Sequence, residues 1–229
     1  MASFPAGYFI TGTDTGVGKT RVTLGLMRHL QERGRRVLAM KPVASGCRHT
    51  RQGLRNADAL LLQQQGSHPL EYHEVNPYAF EPAIAPHLAA AEAGIRIELA
   101  AIRTGFERIA ARADQVCVEG VGGWLVPLNE AQSVADLAAE LGLGVILVVA
   151  IRLGCLNHAL LTQMAIAAAG LHFAGWVANQ PSPGCERAGD IIGALRARLA
   201  APLLGVVPFL PGCSAVDVAA CLDPAARLP

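Results

Sequence analysis

Residues 12–20 read GTDTGVGKT, with glycines at 12, 16 and 18 and a lysine and a threonine closing the run. Glycine lets backbone N–H groups turn inward with no Cβ in the way, and a helix starting here adds the partial positive charge of its N-terminus. Such a loop cradles an anion. Lys19 then reaches the outer phosphates of a nucleotide, and the Thr20 hydroxyl is offered to Mg²⁺. The usual phosphate-loop motif is one residue shorter between its first glycine and the Gly-Lys pair, because Gly12 and Gly18 enclose five residues here.

Lys41 leaves an apolar run in Lys41-Pro42-Val43-Ala44-Ser45-Gly46 and supplies a second cation. A point charge there suits a transferring phosphoryl group or a carboxylate-like substrate. Asp58 closes Gly53-Leu54-Arg55-Asn56-Ala57-Asp58 and precedes an apolar stretch, so it either caps or begins a helix or turns its carboxylate to a metal. Glu119 ends the apolar run Val116-Cys117-Val118, the form in which an acid holds Mg²⁺ directly or through water. Gly120, Gly122 and Gly123 follow it and permit close approach of phosphate. Leu153-Gly154-Cys155-Leu156-Asn157-His158 opens a helix after the most apolar run and forms another N-terminus able to receive an anion, with Asn157 and His158 serving either as helix-start residues or as ligands. Asn179 ends Trp176-Val177-Ala178 with an amide whose donor and acceptor match a purine edge.

These groups must be carried on strands and helices. Strand-like runs fall at 8–11, 37–40, 115–118, 145–150, 173–178 and 203–207, and helical periodicity at 20–33, 97–112, 134–141 and 156–169. Gly34 and Gly170 stand where helices end. The alternation predicts βαβ units, whose ligands gather at the carboxyl ends of the strands. The expected fold is α/β, a mostly parallel sheet with helices on both faces, in a single domain over 1–229. Residues 72–82 read as an irregular excursion.

Hydrophobic residues make up 52% and charged residues 16% of the chain, which suits a buried parallel sheet. Net charge is +1 with the basic residues spread along the sequence, so no nucleic-acid partner is expected. Six cysteines with no C-x-x-C pair point to reduced thiols in a cytoplasmic setting, away from zinc sites and disulfide scaffolds. The N-terminus lacks the pattern of a signal peptide, and residues 144–151 are too few to span a bilayer, so no membrane partner is expected.

Taken with Asn76-Pro77-Tyr78, Pro86-His87 and Glu119-Gly120-Val121-Gly122-Gly123-Trp124, these motifs make the chain resemble the dethiobiotin synthetases over nearly its whole length, to about Pro211. The longer phosphate loop is usual in that family, and the resemblance implies a fold of the P-loop NTPase type. It also implies that CO₂ forms a carbamate on 7,8-diaminononanoate, that ATP with Mg²⁺ phosphorylates it, and that the second amine closes the ring with loss of phosphate. Carried onto this chain, Gly16, Val17, Gly18, Lys19, Thr20, Gly120 and Gly122 hold the nucleotide phosphates; Thr20, Asp58 and Glu119 organise Mg²⁺. Lys41, Lys19 and Thr15 serve the chemistry, and Ser45 helps Lys41 hold the carbamate. Gly154, Cys155, Leu156 and Asn157 receive the distal carboxylate across a homodimer interface, while Asn179, Gln180, Pro208, Phe209 and Leu210 border the adenine. Gln180 stands where many members of the family carry Asp, and this bears on the choice of nucleotide. The rival reading is a nucleotide-dependent switch or partitioning-type ATPase that acts through partners; those proteins commonly carry an extra lysine early in the loop, where Thr13 and Asp14 stand here. A small-molecule kinase or amidotransfer enzyme of the same superfamily is a third.

Overall fold

Alternate side chains of an extended run point to opposite faces, and in this chain both faces find helical cover. The computed structural model describes residues 7–223, so the ends of the expected domain, including 224–228, lie outside the described residues. In chain order the first elements are β1 (Gly7–Gly12), α1 (Lys19–Gln31), β2 (Val37–Met40), β3 (Val43–Ala44), β4 (Arg48–Thr50), β5 (Gly53–Arg55), α2 (Ala57–Gln65), α3 (Tyr72–Val75), β6 (Tyr78–Ala79) and α4 (Pro86–Glu92). There follow α5 (Leu99–Ala110), β7 (Gln115–Glu119), α6 (Val134–Leu141), β8 (Gly144–Ala150), α7 (Cys155–Ala168), β9 (Phe173–Asn179), α8 (Ala188–Arg196), β10 (Leu203–Val207) and α9 (Ala215–Ala219).

Six strands form one parallel sheet in the order β10-β9-β8-β1-β7-β2. Phe9, Leu38, Met40, Val116 and Val118 pack on one face against Leu99, Ile102, Phe106 and Ile109 of α5 and Leu137 of α6. Their strand neighbours Tyr8, Ile10, Val37, Ala39 and Cys117 pack on the other against Val22, Leu26, Met27 and Leu30 of α1. Beyond β1, Leu147, Val149 and Trp176 meet Cys155 and Ala159 of α7 and Leu195 of α8. The sheet grows from β1 in both directions, and the carboxyl ends beside that switch point form the crevice where ligands of such sheets bind.

All six expected strands are present, with β2 and β10 at the expected bounds and α6 likewise. Helix α1 stops at Gln31, two residues short of expectation, with Gly34 at φ 77° just beyond it; α7 is closed by Gly170 at φ 68°. The helix expected from 97 begins only at Leu99, because Ile97 is fully buried and Glu98 is extended. The excursion at 72–82 is more ordered than expected: α3 carries a capping box from Glu71 to Glu74, and β6 pairs with β3. Short elements such as α4 and α9 had too few periodic positions to register.

Candidate active site

Glycine opens the phosphate loop at two places for different reasons. Gly16 and Gly18 lie at φ 73° and 91°, where a side chain is strained, and a Cβ on Gly18 would stand 2.2 Å from Asn179 Nδ2. Helix α1 therefore starts without a side-chain cap, its first amides facing out of the loop.

A cavity of about 700 Å³ opens at the carboxyl ends of the strands and is lined by Thr15, Gly16, Gly18, Lys19, Thr20, Lys41, Ser45, Asp58, Glu119 and Gly122. Ten of the expected site residues thus meet around one space. Val17 is buried beneath the loop, and Gly120 donates its N–H to the Ile10 carbonyl at 2.9 Å, continuing the sheet.

Two buried lysines dominate the electrostatics. Lys19 Nζ donates to the Asp14 carbonyl at 2.9 Å and to the Gly122 carbonyl at 2.6 Å. These neutral acceptors leave burial, reinforced by the charge of Lys41, to pull its pKa down to about 8. Lys41 Nζ donates to Glu119 Oε1 at 2.5 Å and to Asp58 Oδ2 at 3.4 Å. Burial would pull Lys41 down as well, but the two carboxylates outweigh it and hold it above the ordinary range.

Glu119 is fully buried; Oε1 also accepts from Thr20 Oγ1 at 2.9 Å, and Oε2 has no partner. A buried carboxylate oxygen with nothing to accept from is costly unless a ligand supplies a charge. Thr20, Asp58 and Glu119 therefore stand as a hydroxyl and two carboxylates facing one space. That donor set suits Mg²⁺, which keeps water and substrate phosphate as most of its ligands.

The Asn76-Pro77-Tyr78 motif has a structural use that its sequence did not disclose. Asn76 Nδ2 donates to the Lys41 carbonyl at 2.7 Å, and its Oδ1 accepts from Tyr72 Oη at 2.8 Å. Tyr72 Oη in turn accepts from the Asn56 N–H at 2.7 Å, while Asn56 Oδ1 caps α2 by accepting from Ala59 N. Asn56, not Asp58, is thus the N-cap, which leaves the Asp58 carboxylate free to meet Lys41.

Asn179 also departs from expectation. It is fully buried, and Nδ2 is spent on the Val17 carbonyl at 2.7 Å, pinning the phosphate loop to the end of β9. Oδ1 is buried and without a hydrogen-bond partner, so the amide does not present the exposed donor and acceptor pair expected of it. Gln180 donates its N–H to the Val207 carbonyl, and Pro208, Phe209 and Leu210 follow β10 alongside it. Gly154, Cys155, Leu156 and Asn157 begin α7 outside the 700 Å³ cavity. Sequence reasoning passed over Val126 and Ile84 in the cavity wall, since they fall in none of its motifs.

All six cysteines are free, and among the described residues no helix is long and apolar enough to cross a membrane.

The family described as AAA domain matches residues 6–217. The chain is 52% identical over 217 residues to the ATP-dependent dethiobiotin synthetase BioD of Pseudomonas paraeruginosa, covering 94% of this chain and 95% of that protein. The BioD of Xanthomonas euvesicatoria pv. vesicatoria is 50% identical, covering 91% and 93%. Among solved structures, the septum site-determining protein MinD of Pyrococcus horikoshii, complexed with Mg-ADP, is similar at TM-score 0.57 and 18% identity, covering 96% of this chain and 93% of that one. MinD of Aquifex aeolicus is similar at TM-score 0.58 and 15% identity, covering 93% and 94%. At such identities the likeness shows the fold alone, that of a P-loop NTPase. Half-identity across nine-tenths of both chains says more: this protein belongs to the ATP-dependent dethiobiotin synthetases, enzymes of the cyclo-ligase class.

Proposed function

We propose that one domain converts 7,8-diaminononanoate and CO₂ to dethiobiotin through a carbamate and a carbamic-phosphoric anhydride, with ATP leaving as ADP and phosphate. The observation that carries this reading is the convergence of Lys19, Lys41 and Glu119, from three neighbouring strand ends, on one cavity.

The amine at carbon 7 adds to CO₂ and loses a proton, forming a carbamate. A carbamate oxygen attacks the γ-phosphorus, and ADP departs. The amine at carbon 8 then attacks the acyl carbon, a second proton is lost, and phosphate leaves as the cyclic urea closes. Every step moves negative charge within a small volume, so fixed cations and loop amides already aimed there lower the barrier without reorganising.

Lys19, inside the loop, bridges the nucleotide phosphates, with Thr15 beside it. Thr20, Asp58 and Glu119 would hold Mg²⁺, which neutralises charge on the phosphoryl oxygens when bound. Lys41 and Ser45 face the carbamate; the Ser45 hydroxyl is buried and has no partner, which supports a ligand for it there. Asn179, Gln180, Pro208, Phe209 and Leu210 border the adenine.

Gly154, Cys155, Leu156 and Asn157 take the distal carboxylate across a homodimer interface. The exposed apolar side chains of Leu153, Leu161 and Met164 around and along α7 support that pairing. Six unpaired thiols support a cytoplasmic setting. Incubation with diaminononanoate, bicarbonate and Mg-ATP is expected to yield dethiobiotin by mass spectrometry. ATP hydrolysis with no such product would defeat the reading.

A further inference from the structure

Basic residues look evenly spread along the sequence, yet the fold gathers several of them next to the reaction cavity. Strands β4 and β5 form an antiparallel hairpin in which Arg48 stands directly opposite Arg55 and Thr50 opposite Gly53. Strand alternation puts Arg48, Thr50 and Arg55 on one face and sends His49 to the other, where it meets Glu81 at 3.2 Å. Like charges placed directly across a strand pair are destabilising. Among the described residues neither arginine has a carboxylate within ion-pair distance. Arg55 is held in place from behind, its guanidinium 4.1 Å from the centre of the Tyr72 ring and Nη1 donating to the Leu54 carbonyl at 2.9 Å.

The two guanidinium groups face a second cleft of about 440 Å³, lined by Arg48, Thr50, Arg55, Asn56, Ala57 and Asp58 among others. Asn56 and Asp58 line the reaction cavity as well, so the two spaces adjoin. The one carboxylate in the second cleft, that of Asp58, is already matched by Lys41 at 3.4 Å. Two planar forks with free N–H groups and no counter-charge match a tetrahedral oxyanion.

We propose that this hairpin cleft is a phosphate-binding site, separate from the phosphate loop, that takes a phosphate group through Arg48 and Arg55, while the Thr50 hydroxyl is spent inside the turn, donating to the Gly53 carbonyl at 2.7 Å and accepting from the Gln52 N–H at 3.2 Å. The group is either the inorganic phosphate released next door or the phosphate of an organic ester.

The test uses the whole protein saturated with Mg²⁺ and a non-hydrolysable ATP analogue, so that the loop is filled, and titrates inorganic phosphate by calorimetry. Saturable binding is expected in the wild type. Arg48→Ala should weaken it about tenfold or more, the loss of at least one charge-assisted hydrogen bond. Arg48→Glu should abolish it while leaving the melting temperature unchanged or higher, because the introduced carboxylate would pair with Arg55 and remove the like-charge contact. Arg28→Ala, remote and paired with Glu32, should change nothing. Glycerol phosphate that displaces phosphate identifies an ester site; glycerol phosphate that does not identifies a site for the inorganic ion. No binding once the loop is filled, or equal binding in wild type and Arg48→Glu, overturns the proposal. The readout needs no turnover, so it stands or falls apart from the reaction assigned above.

Discussion

Helices α1 and α7 spring from neighbouring parallel strands, β1 and β8, and each is entered through a glycine at positive φ, Gly18 at 91° and Gly154 at 90°. Neither has a side-chain cap, so first-turn amides of both are left for whatever lies beyond the strand end, although in α7 the Cys155 N–H already donates to the Arg152 carbonyl at 3.1 Å. Around Gly18 the space is crowded: Asn179 would lie 2.2 Å from an added Cβ, and Lys19 is buried between two carbonyls. A Cβ added at Gly154 would meet nothing within 4 Å, and the preceding Leu153 is 99% exposed. The same backbone device therefore makes an enclosed, charge-dense site in one place and an open, exposed helix start in the other. A helix N-terminus supplies partial charge, but enclosure and fixed cations decide which anion it holds and how firmly.

The largest effect that could break this contrast lies at the enclosed end. Lys41→Ala is expected to lower turnover about 100- to 1000-fold, the scale of losing one preorganised stabiliser of developing charge, with nucleotide affinity moved far less. Steady-state rates beside calorimetric nucleotide binding, with a melting curve to confirm the fold, check this; an unchanged rate refutes the role given to Lys41.

Gly18→Ala comes next. It combines backbone strain of about 1–2 kcal/mol with displacement of Asn179, so nucleotide affinity should fall by about tenfold or more, about 1.4 kcal/mol. A nucleotide titration that matches wild type would show that the loop does not need its clamp.

Lys19 sharpens the contrast through pH. Burial holds its pKa at about 8 in the free protein, and phosphate oxygens favour its charged form. Binding above that pH therefore takes up a proton. The nucleotide Kd should be flat below pH about 7 and rise about tenfold per pH unit above about 8, until the bound-state pKa is reached. Lys41, held above its ordinary range, keeps its charge through that window, so the loss belongs to Lys19. The free fold responds with the opposite sign: the unfolded chain keeps its lysine proton longer, so the Lys19 contribution to stability improves as pH rises through about 8. Isothermal titrations between about pH 6.5 and about pH 9.5, a window that brackets this titration, check the account; a flat Kd across it would sink it.

The smallest effect is expected at the open end. Gly154→Ala meets no neighbour and should cost only the strain of its positive φ, about 1 kcal/mol in thermal stability, with the nucleotide Kd unchanged. A nucleotide defect there would erase the distinction between the two helix starts.

How far the sequence alone reached follows the range of the interactions. Strands β2 and β10 and helix α6 were legible to the residue because an apolar run or a helical stripe with local caps declares itself within a few positions. Lys19, Thr20 and Glu119, which the fold brings to one cavity, were legible as candidate site residues because a loop, its cation and a strand-ending acid are each local patterns. The partners of those groups were not. The Gly122 carbonyl that receives Lys19 lies 103 residues away, Glu119 lies 78 residues from Lys41, and Asn179 holds Val17 across 162. The facing arginines of the hairpin were hidden in a charge count of +1 spread over the whole chain. Residue order by itself determined which groups could bind phosphate and where the elements that carry them begin. The sheet order β10-β9-β8-β1-β7-β2 decided which of those groups share a cavity, because hydrogen bonding between strands, and not distance along the chain, sets which strand ends are neighbours.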